Sequence, residues 1–219
     1  MVNITVYFEG GTLGQDGQTM NNTPALRQSL NQLFSKALQR DVEITLGAGY
    51  RNTASSFLKN SDKSCGSTCL YVDLDDSKEK RSNWFLKLEK ENPKNPLYIP
   101  EDKKPNVFFM IQEMEAWFLK QPEAIEQWGE AQGYIRKQPE PLKNHASIKD
   151  KDIETIKHPS KVLSTIIQQT YRKEKNGKQS KVKYGKLKSS PYIMEYINPE
   201  QLCKVDSEFQ RFCDTFSSP

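Results

Sequence analysis

Apolar positions in this chain fall into two periods. Residues 3–8 (NITVYF) alternate and are rich in β-branched and aromatic side chains, which predicts a strand. Glu9-Gly10-Gly11 breaks the alternation, and 10–22 has the Gly, Gln, Asn and Thr composition of a loop. Thr23-Pro24 then supplies an N-cap and a first-turn proline, and Leu26, Leu30, Leu33, Phe34, Ala37 and Leu38 follow at helical spacing. A second strand is predicted at 42–46, running into Gly47-Ala48-Gly49-Tyr50-Arg51 and a helix with Phe57 and Leu58 on one face. Residues 70–72 lie in a third strand, within the segment TCLYVDLDD at 68–76. A helix at 84–88, a loop with four prolines at 92–105, a strand at 107–110 and a segment at 112–119 entering a helix complete this half. Strands alternating with helices at this spacing predict an α/β fold with a mostly parallel, Rossmann-like sheet. Ligands of such sheets gather beyond the carboxyl ends of the strands.

After Gln121 the pattern changes. Helices are predicted at 122–128, at 160–171 (Val162, Leu163, Ile166, Ile167) and at 199–216 (Leu202, Val205, Phe209, Phe212). Residues 138–151 read as a polar excursion, and 172–188 as a basic, mobile segment. The chain thus divides into an α/β core at 1–121 and a basic, mostly helical region at 122–219 that packs on it.

Charge sharpens that division. Residues 136–188 hold 15 Lys and Arg against 5 Asp and Glu, so the remainder carries −6 although the whole chain is at +4. A solvated helical face explains such a surplus, and so does a surface that attracts phosphates, of which nucleic acid is the commonest polymer. The longest apolar runs are far too short to span a bilayer, and no signal peptide precedes the first strand, so a cytoplasmic protein is expected. Cys65, Cys69, Cys203 and Cys213 are then expected to be free thiols; their C-x3-C and C-x9-C spacings are loose for zinc, with no histidine near either pair.

The most unusual stretch is 68–76, an apolar strand that ends in Asp73, Asp75 and Asp76. Clustered carboxylates repel unless a cation, a basic partner or water relieves them. Glu9 ends the first strand, and Glu115 lies just past the fourth. Two residues apart, Asp73 and Asp75 would share one face of a regular strand. With Glu9 they form an oxygen-rich corner of the kind Mg²⁺ or Mn²⁺ takes, water and phosphate completing the shell. The plainer reading is that 73–76 caps the following helix. Arg51, after a glycine-rich strand end, suits a bidentate phosphate clamp or a salt bridge to the acidic corner. Glu115 is either a ligand or base, or a carboxylate favoured by its helix start. Trp117 and Phe118 read as core, and Lys183, Lys186 and Lys188 as a phosphate-tracking strip or a solvated loop. The glycines of 10–17 lack the Gly-Lys-Ser/Thr ending of a P-loop.

A strand-end Glu followed by Gly, with Asp-x-Asp after a later strand, resembles the TOPRIM fold of topoisomerases, primases and several nucleases. More narrowly, the chain is similar to a family of small TOPRIM-like proteins, domain-of-unknown-function family 4276. The segments that carry the likeness are YFEGG (7–11), ALR with F-x-K-x-L (25–38), G-x-RN with F (49–57), YVDLDD (71–76), Q-x-MEAWFL (112–119) and Y-x-K (184–186). The resemblance implies metal ligands at Glu9, Asp73 and Asp75, with Asp76 as a further ligand or a capping residue, and Arg51, Glu115 and Lys186 lining the site. It also implies a Mg²⁺-dependent nuclease acting on DNA or tRNA, working as an anti-phage defence effector beside an ABC- or SMC-type ATPase. A non-catalytic subunit of such an ATPase and a hydrolase of small phosphorylated molecules are the alternatives, and a homodimer is compatible with the sequence. The chain departs from the family where Asp73-Leu74-Asp75-Asp76 replaces a D-x-E-D mixture, and where Leu187-Lys188-Ser189 replaces a run with histidine.

Overall fold

In the computed structural model of the protein, residues 4–10, 23–62 and 66–217 are described. Four parallel strands make the central sheet: β1 (Ile4–Glu9), β2 (Val42–Gly47), β3 (Ser67–Asp73) and β4 (Val107–Met110), in the order β2-β1-β3-β4. The register pairs Glu9 with Gly47, Phe8 with Tyr71 and Asp73 with Met110. All four strands therefore end at one edge, and Glu9 and Asp73 come from neighbouring strands.

Successive strand side chains point to opposite faces, and here each face has its own core. Ile4, Val6 and Phe8 join Cys69, Tyr71, Phe108 and Met110 on one side. They pack against α1 (Thr23–Leu38), α4 (Glu115–Lys120) and helices of the second half: α5 (Pro122–Ala131), α6 (Pro159–Thr170), α7 (Lys186–Met194), α8 (Pro199–Val205) and α9 (Ser207–Phe216). Tyr7, Leu70, Val72, Val107 and Phe109 face the other way, onto α2 (Tyr50–Ser61) and α3 (Arg81–Lys90), through Ala54, Phe57, Trp84 and Leu88. Residues 122–217 thus complete one face of the sheet and share its core with the first half. Strands covered on both faces read as nearly continuous apolar runs, as β3 and β4 do. Gly47 permits the close start of α2, since a Cβ there would lie 2.2 Å from Thr53 Oγ1.

Two expectations change. Residues 172–188 are an ordered hairpin followed by a helix, not a mobile segment. β5 (Ile135–Arg136), β6 (Tyr171–Lys175) and β7 (Lys178–Lys181) form a small antiparallel sheet, and Asn176-Gly177, both at positive φ, make the two-residue turn. The single helix expected at 199–216 is two, because Asp206 leaves helical geometry and accepts the Phe209 amide to cap α9. The loop at 10–22 lies, apart from Gly10, outside the described residues, as does Cys65. Of the other thiols, Cys69 is buried and free, and Cys203 and Cys213 stand with their sulfurs 3.0 Å apart. Among the described residues no helix is long and apolar enough to cross a membrane.

Candidate metal and phosphate site

The carboxyl edge of the sheet gathers Glu9, Asp73, Glu115 and Lys186. Glu9 ends β1 and its Oε2 accepts the Asp73 amide at 3.1 Å. The Tyr50 amide, in the first turn of α2, also donates to this carboxylate. Asp73 ends β3. Its Oδ1 accepts the Met114 amide at 3.0 Å, and its Oδ2 lies 3.2 Å from Lys186 Nζ. Glu115 opens α4 with its side chain wholly buried. Its Oε1 accepts the Tyr184 hydroxyl at 2.7 Å, and Tyr184 also contacts Ser190 Oγ at 2.6 Å. Its Oε2 is buried without a hydrogen-bond partner and lies 3.8 Å from Lys186 Nζ.

Burial dominates the electrostatics. Desolvation pushes the Asp73 carboxyl well above the usual carboxylate value; Lys186 opposes this, and Glu9 and Glu115 add to it. Glu9 is raised for the same reason, against the Asp73 amide and with the Asp75 charge adding to the rise. Burial works to lower the Lys186 ammonium, but Asp73, Glu115 and Glu9 outweigh it and hold its pKa above the ordinary lysine value. Although its side chain is 43% exposed, the charged end points inward, between Asp73 and Glu115. One ammonium against three carboxylates leaves the corner short of positive charge.

The remaining expected site residues lie elsewhere. β3 stops at Asp73, so the shared face assumed for Asp73 and Asp75 does not form. Asp75 has φ +57°, and its mostly exposed side chain lies 4.0 Å from Lys87. It reaches Glu9 only through its field. Asp76 accepts the Ser77 amide at 2.8 Å and pairs with Lys80 at 3.3 Å, but neither the short helical turn at 78–80 nor α3 receives a side-chain cap. Both bonds hold its carboxyl below the usual range, the amide foremost. Arg51 neither clamps the corner nor pairs with an acid there. Its guanidinium donates to the carbonyl oxygens of Leu88, at 2.7 Å, and Asn95, bracing the end of α3. Lys183 and Lys188 are exposed on either side of Lys186. Glu115 proves to be both a helix-start carboxylate and a member of the corner. Tyr184 and Ser190 were missed as site residues, although the Y-x-K spacing placed Tyr184 two residues before Lys186.

Among the described residues no three acidic, histidine or cysteine side chains stand close enough to ligate one ion in this arrangement. Mg²⁺ does not need three, since it commonly takes one or two carboxylates with water and phosphate filling the octahedron. An all-oxygen donor set with one orphaned buried oxygen fits such a hard cation. Asp73, with Glu9 or Glu115 beside it, would hold it.

Fold and site together define an α/β protein with a four-stranded parallel sheet and a buried acidic corner at its carboxyl edge. The chain belongs to the family described as domain of unknown function DUF4276, whose family model matches residues 17–217. Glu9 precedes the matched range. No curated protein and no solved structure matches the chain.

Proposed function

We propose that this protein is a divalent-metal-dependent nuclease of TOPRIM type, cleaving phosphodiester bonds with the corner formed by Glu9, Asp73 and Glu115. The observation that carries this reading is the convergence of two buried carboxylates, Asp73 and Glu115, on one ammonium, with the half-buried Glu9 bonded to the Asp73 amide and Glu115 Oε2 left without a hydrogen bond. Bound there, Mg²⁺ or Mn²⁺ would neutralise phosphate charge and lower the pKa of a ligated water. Glu9 and Asp73 are held as oxygen donors by backbone amides, so their positions do not depend on the ion. Tyr184 fixes the Glu115 carboxyl through Oε1 and leaves Oε2 turned to Lys186. Lys186 sits where a cation is wanted and, reached from solvent along its stem, suits a phosphate oxygen. The family resemblance supports a role as a defence effector controlled by an ABC- or SMC-type ATPase.

The test is cleavage of duplex DNA and of tRNA in Mg²⁺ or Mn²⁺ against EDTA, with and without an ABC- or SMC-type ATPase. Wild type is expected to cut in metal only, and Glu9→Gln, Asp73→Asn and Glu115→Gln each to lose at least about 100-fold in rate, the scale of losing a charge-stabilising group. Cleavage that is indifferent to EDTA or to all three substitutions overturns the reading. The Lys186–Asp73 contact favours one alternative, in which the corner is a closed internal ion cluster of a non-catalytic ATPase subunit. In that case the three variants lose partner binding, and no cleavage is found in any arm.

A further inference from the structure

The β6–β7 hairpin is built in a way that costs stability unless an anion meets it. Its register places Arg172 opposite Lys181 and Lys175 opposite Lys178. Like charges directly across an antiparallel pair repel, and both pairs are like-charged. Alternation puts Lys173, Lys175, Lys178 and Ser180 on one face, with no acid among them, and Arg172, Glu174, Gln179 and Lys181 on the other. Among the described residues no ion pair relieves any of these lysines, and Arg172 Nε is shielded from solvent without a hydrogen-bond partner. Every residue of β7 is exposed, as are Lys173, Glu174 and Lys175 of β6. Across 171–188 there are eight basic side chains and one acid.

Lysines often guard the free edge of a sheet against another strand. That accounts for Lys178 and Lys181 on the edge strand β7. β5 reaches only Tyr171 and Arg172, so 173–175 is a free edge as well; edge protection does not account for setting basic side chains directly opposite one another across the hairpin, as at Arg172–Lys181 and Lys175–Lys178. The hairpin is also tied to the acidic corner. Lys186 lies five positions after Lys181, so their Cα atoms are at most about 18 Å apart on a fully extended chain, about five steps of a duplex. Val182, between them, is buried in the main core and anchors the base of the hairpin.

We propose that the β6–β7 hairpin is a duplex-DNA-binding arm that lies in the major groove and presents the backbone to the Glu9–Asp73–Glu115 corner. This rests on the nuclease reading for its second half and stands without it for the first. A two-stranded ribbon fits the roughly 12 Å major groove of B-DNA, whereas the major groove of duplex RNA is too narrow and deep to enter. Lysines act as point charges rather than base readers, so the binding is independent of sequence.

The experiment is fluorescence anisotropy with a labelled duplex DNA of mixed sequence in EDTA, over a series of KCl concentrations. The triple variant Lys173→Gln, Lys175→Gln, Lys178→Gln is compared with wild type and with a control, Lys149→Gln, Lys151→Gln, Lys161→Gln, which removes as much charge elsewhere in the basic region. All six lysines are exposed, so the variants are expected to fold, and circular dichroism checks it. For the hairpin variant the slope of log K against log salt is expected to fall by about 2.7, near 0.9 per lost phosphate contact, with affinity at least about tenfold weaker at low salt. The control keeps the wild-type slope. Equal losses in both variants, no loss in either, no binding by wild type, or tighter binding of duplex RNA than of DNA each overturn the proposal. The nuclease reading is tested apart, by whether Mn²⁺ raises the melting temperatures of wild type and of the hairpin variant alike. A hairpin effect without that rise leaves the arm standing and removes the metal chemistry, and the reverse result removes only the arm.

Discussion

At the scale of single residues, the corner is held together against its own electrostatics. Asp73 is buried beside Glu9 and Glu115, and burial raises its pKa. Asp73→Asn keeps an oxygen for the Met114 amide and removes a charge that the fold has to desolvate. It is expected to stabilise the metal-free protein by about 1–2 kcal/mol near pH 8, one to one and a half pKa units of differential interaction, while abolishing cleavage. Chemical denaturation in EDTA checks this, and a less stable Asp73→Asn protein at pH 8 contradicts it. Asp75→Asn is expected to keep far more activity than Asp73→Asn, because Asp75 is exposed and joined to Lys87. A second buried group carries no such role. Tyr71 is fully buried, and its hydroxyl has no hydrogen-bond partner. Tyr71→Phe removes an unsatisfied polar atom and is expected to stabilise by about 1 kcal/mol, with the Mn²⁺ response unchanged. A loss of stability would reveal an acceptor for that hydroxyl.

At the scale of elements, what was legible in the sequence follows burial. β1, β3 and β4 are buried on both faces or end in conspicuous acids, so their apolar runs mark them. α1, α2 and α6 carry their stripes at helical spacing. The hairpin was not legible because β6 beyond Tyr171 and all of β7 lack an apolar alternation, and lysine-rich polar runs resemble loops. Only Asn176-Gly177 signalled a turn. The pairing of Glu9 with Asp73 at one sheet edge could be anticipated from strand ends alone, whereas the departure of Asp75 could not. That departure depends on the strand ending at Asp73, after which the Leu74 and Asp75 amides donate to Met110 and Gln112 carbonyls. The break between α8 and α9 was hidden by continuous apolar spacing across Asp206. That residue caps α9 and also accepts from Lys120 Nζ at 2.7 Å and Trp117 Nε1 at 3.1 Å. Asp206→Ala therefore strips a cap and leaves a buried ammonium with Glu154 as its one remaining carboxylate among the described residues. It is expected to cost about 3–5 kcal/mol, read by denaturation, without altering the Mn²⁺ dependence of whatever remains folded. A loss under about 1 kcal/mol would mean that Glu154 alone satisfies Lys120.

At the scale of the whole molecule, a site that takes metal as proposed would couple metal, protons and folding. Asp73 and Glu9 have raised pKa values in the folded state, so the native protein binds more protons than the unfolded chain above the ordinary values of 3.8 and 4.5. The slope of stability with pH is then negative through that window. Without metal, the corner's contribution is most favourable at acid pH and declines as pH rises toward 8. Lys186 acts in the same sense, but only at high pH. Its raised pKa gives stability that is present below 10.5 and lost as pH rises through the folded value, outside this window. A divalent cation changes the sign, because it binds ionised carboxylates and competes with their protons. Metal stabilisation should therefore be small at pH 5 and grow toward pH 8, reaching about 2.7 kcal/mol when free Mn²⁺ is 100-fold above its dissociation constant. Other buried acids, Asp206 among them, also move with pH. The diagnostic quantity is thus the wild-type melting temperature minus that of Asp73→Asn, measured from pH 5 to 8 with and without Mn²⁺. In EDTA that difference should become more negative as pH rises, and in Mn²⁺ it should become more positive. A difference that stays flat in both series would mean that Lys186 already neutralises Asp73, leaving the corner as a closed ion cluster with no place for metal.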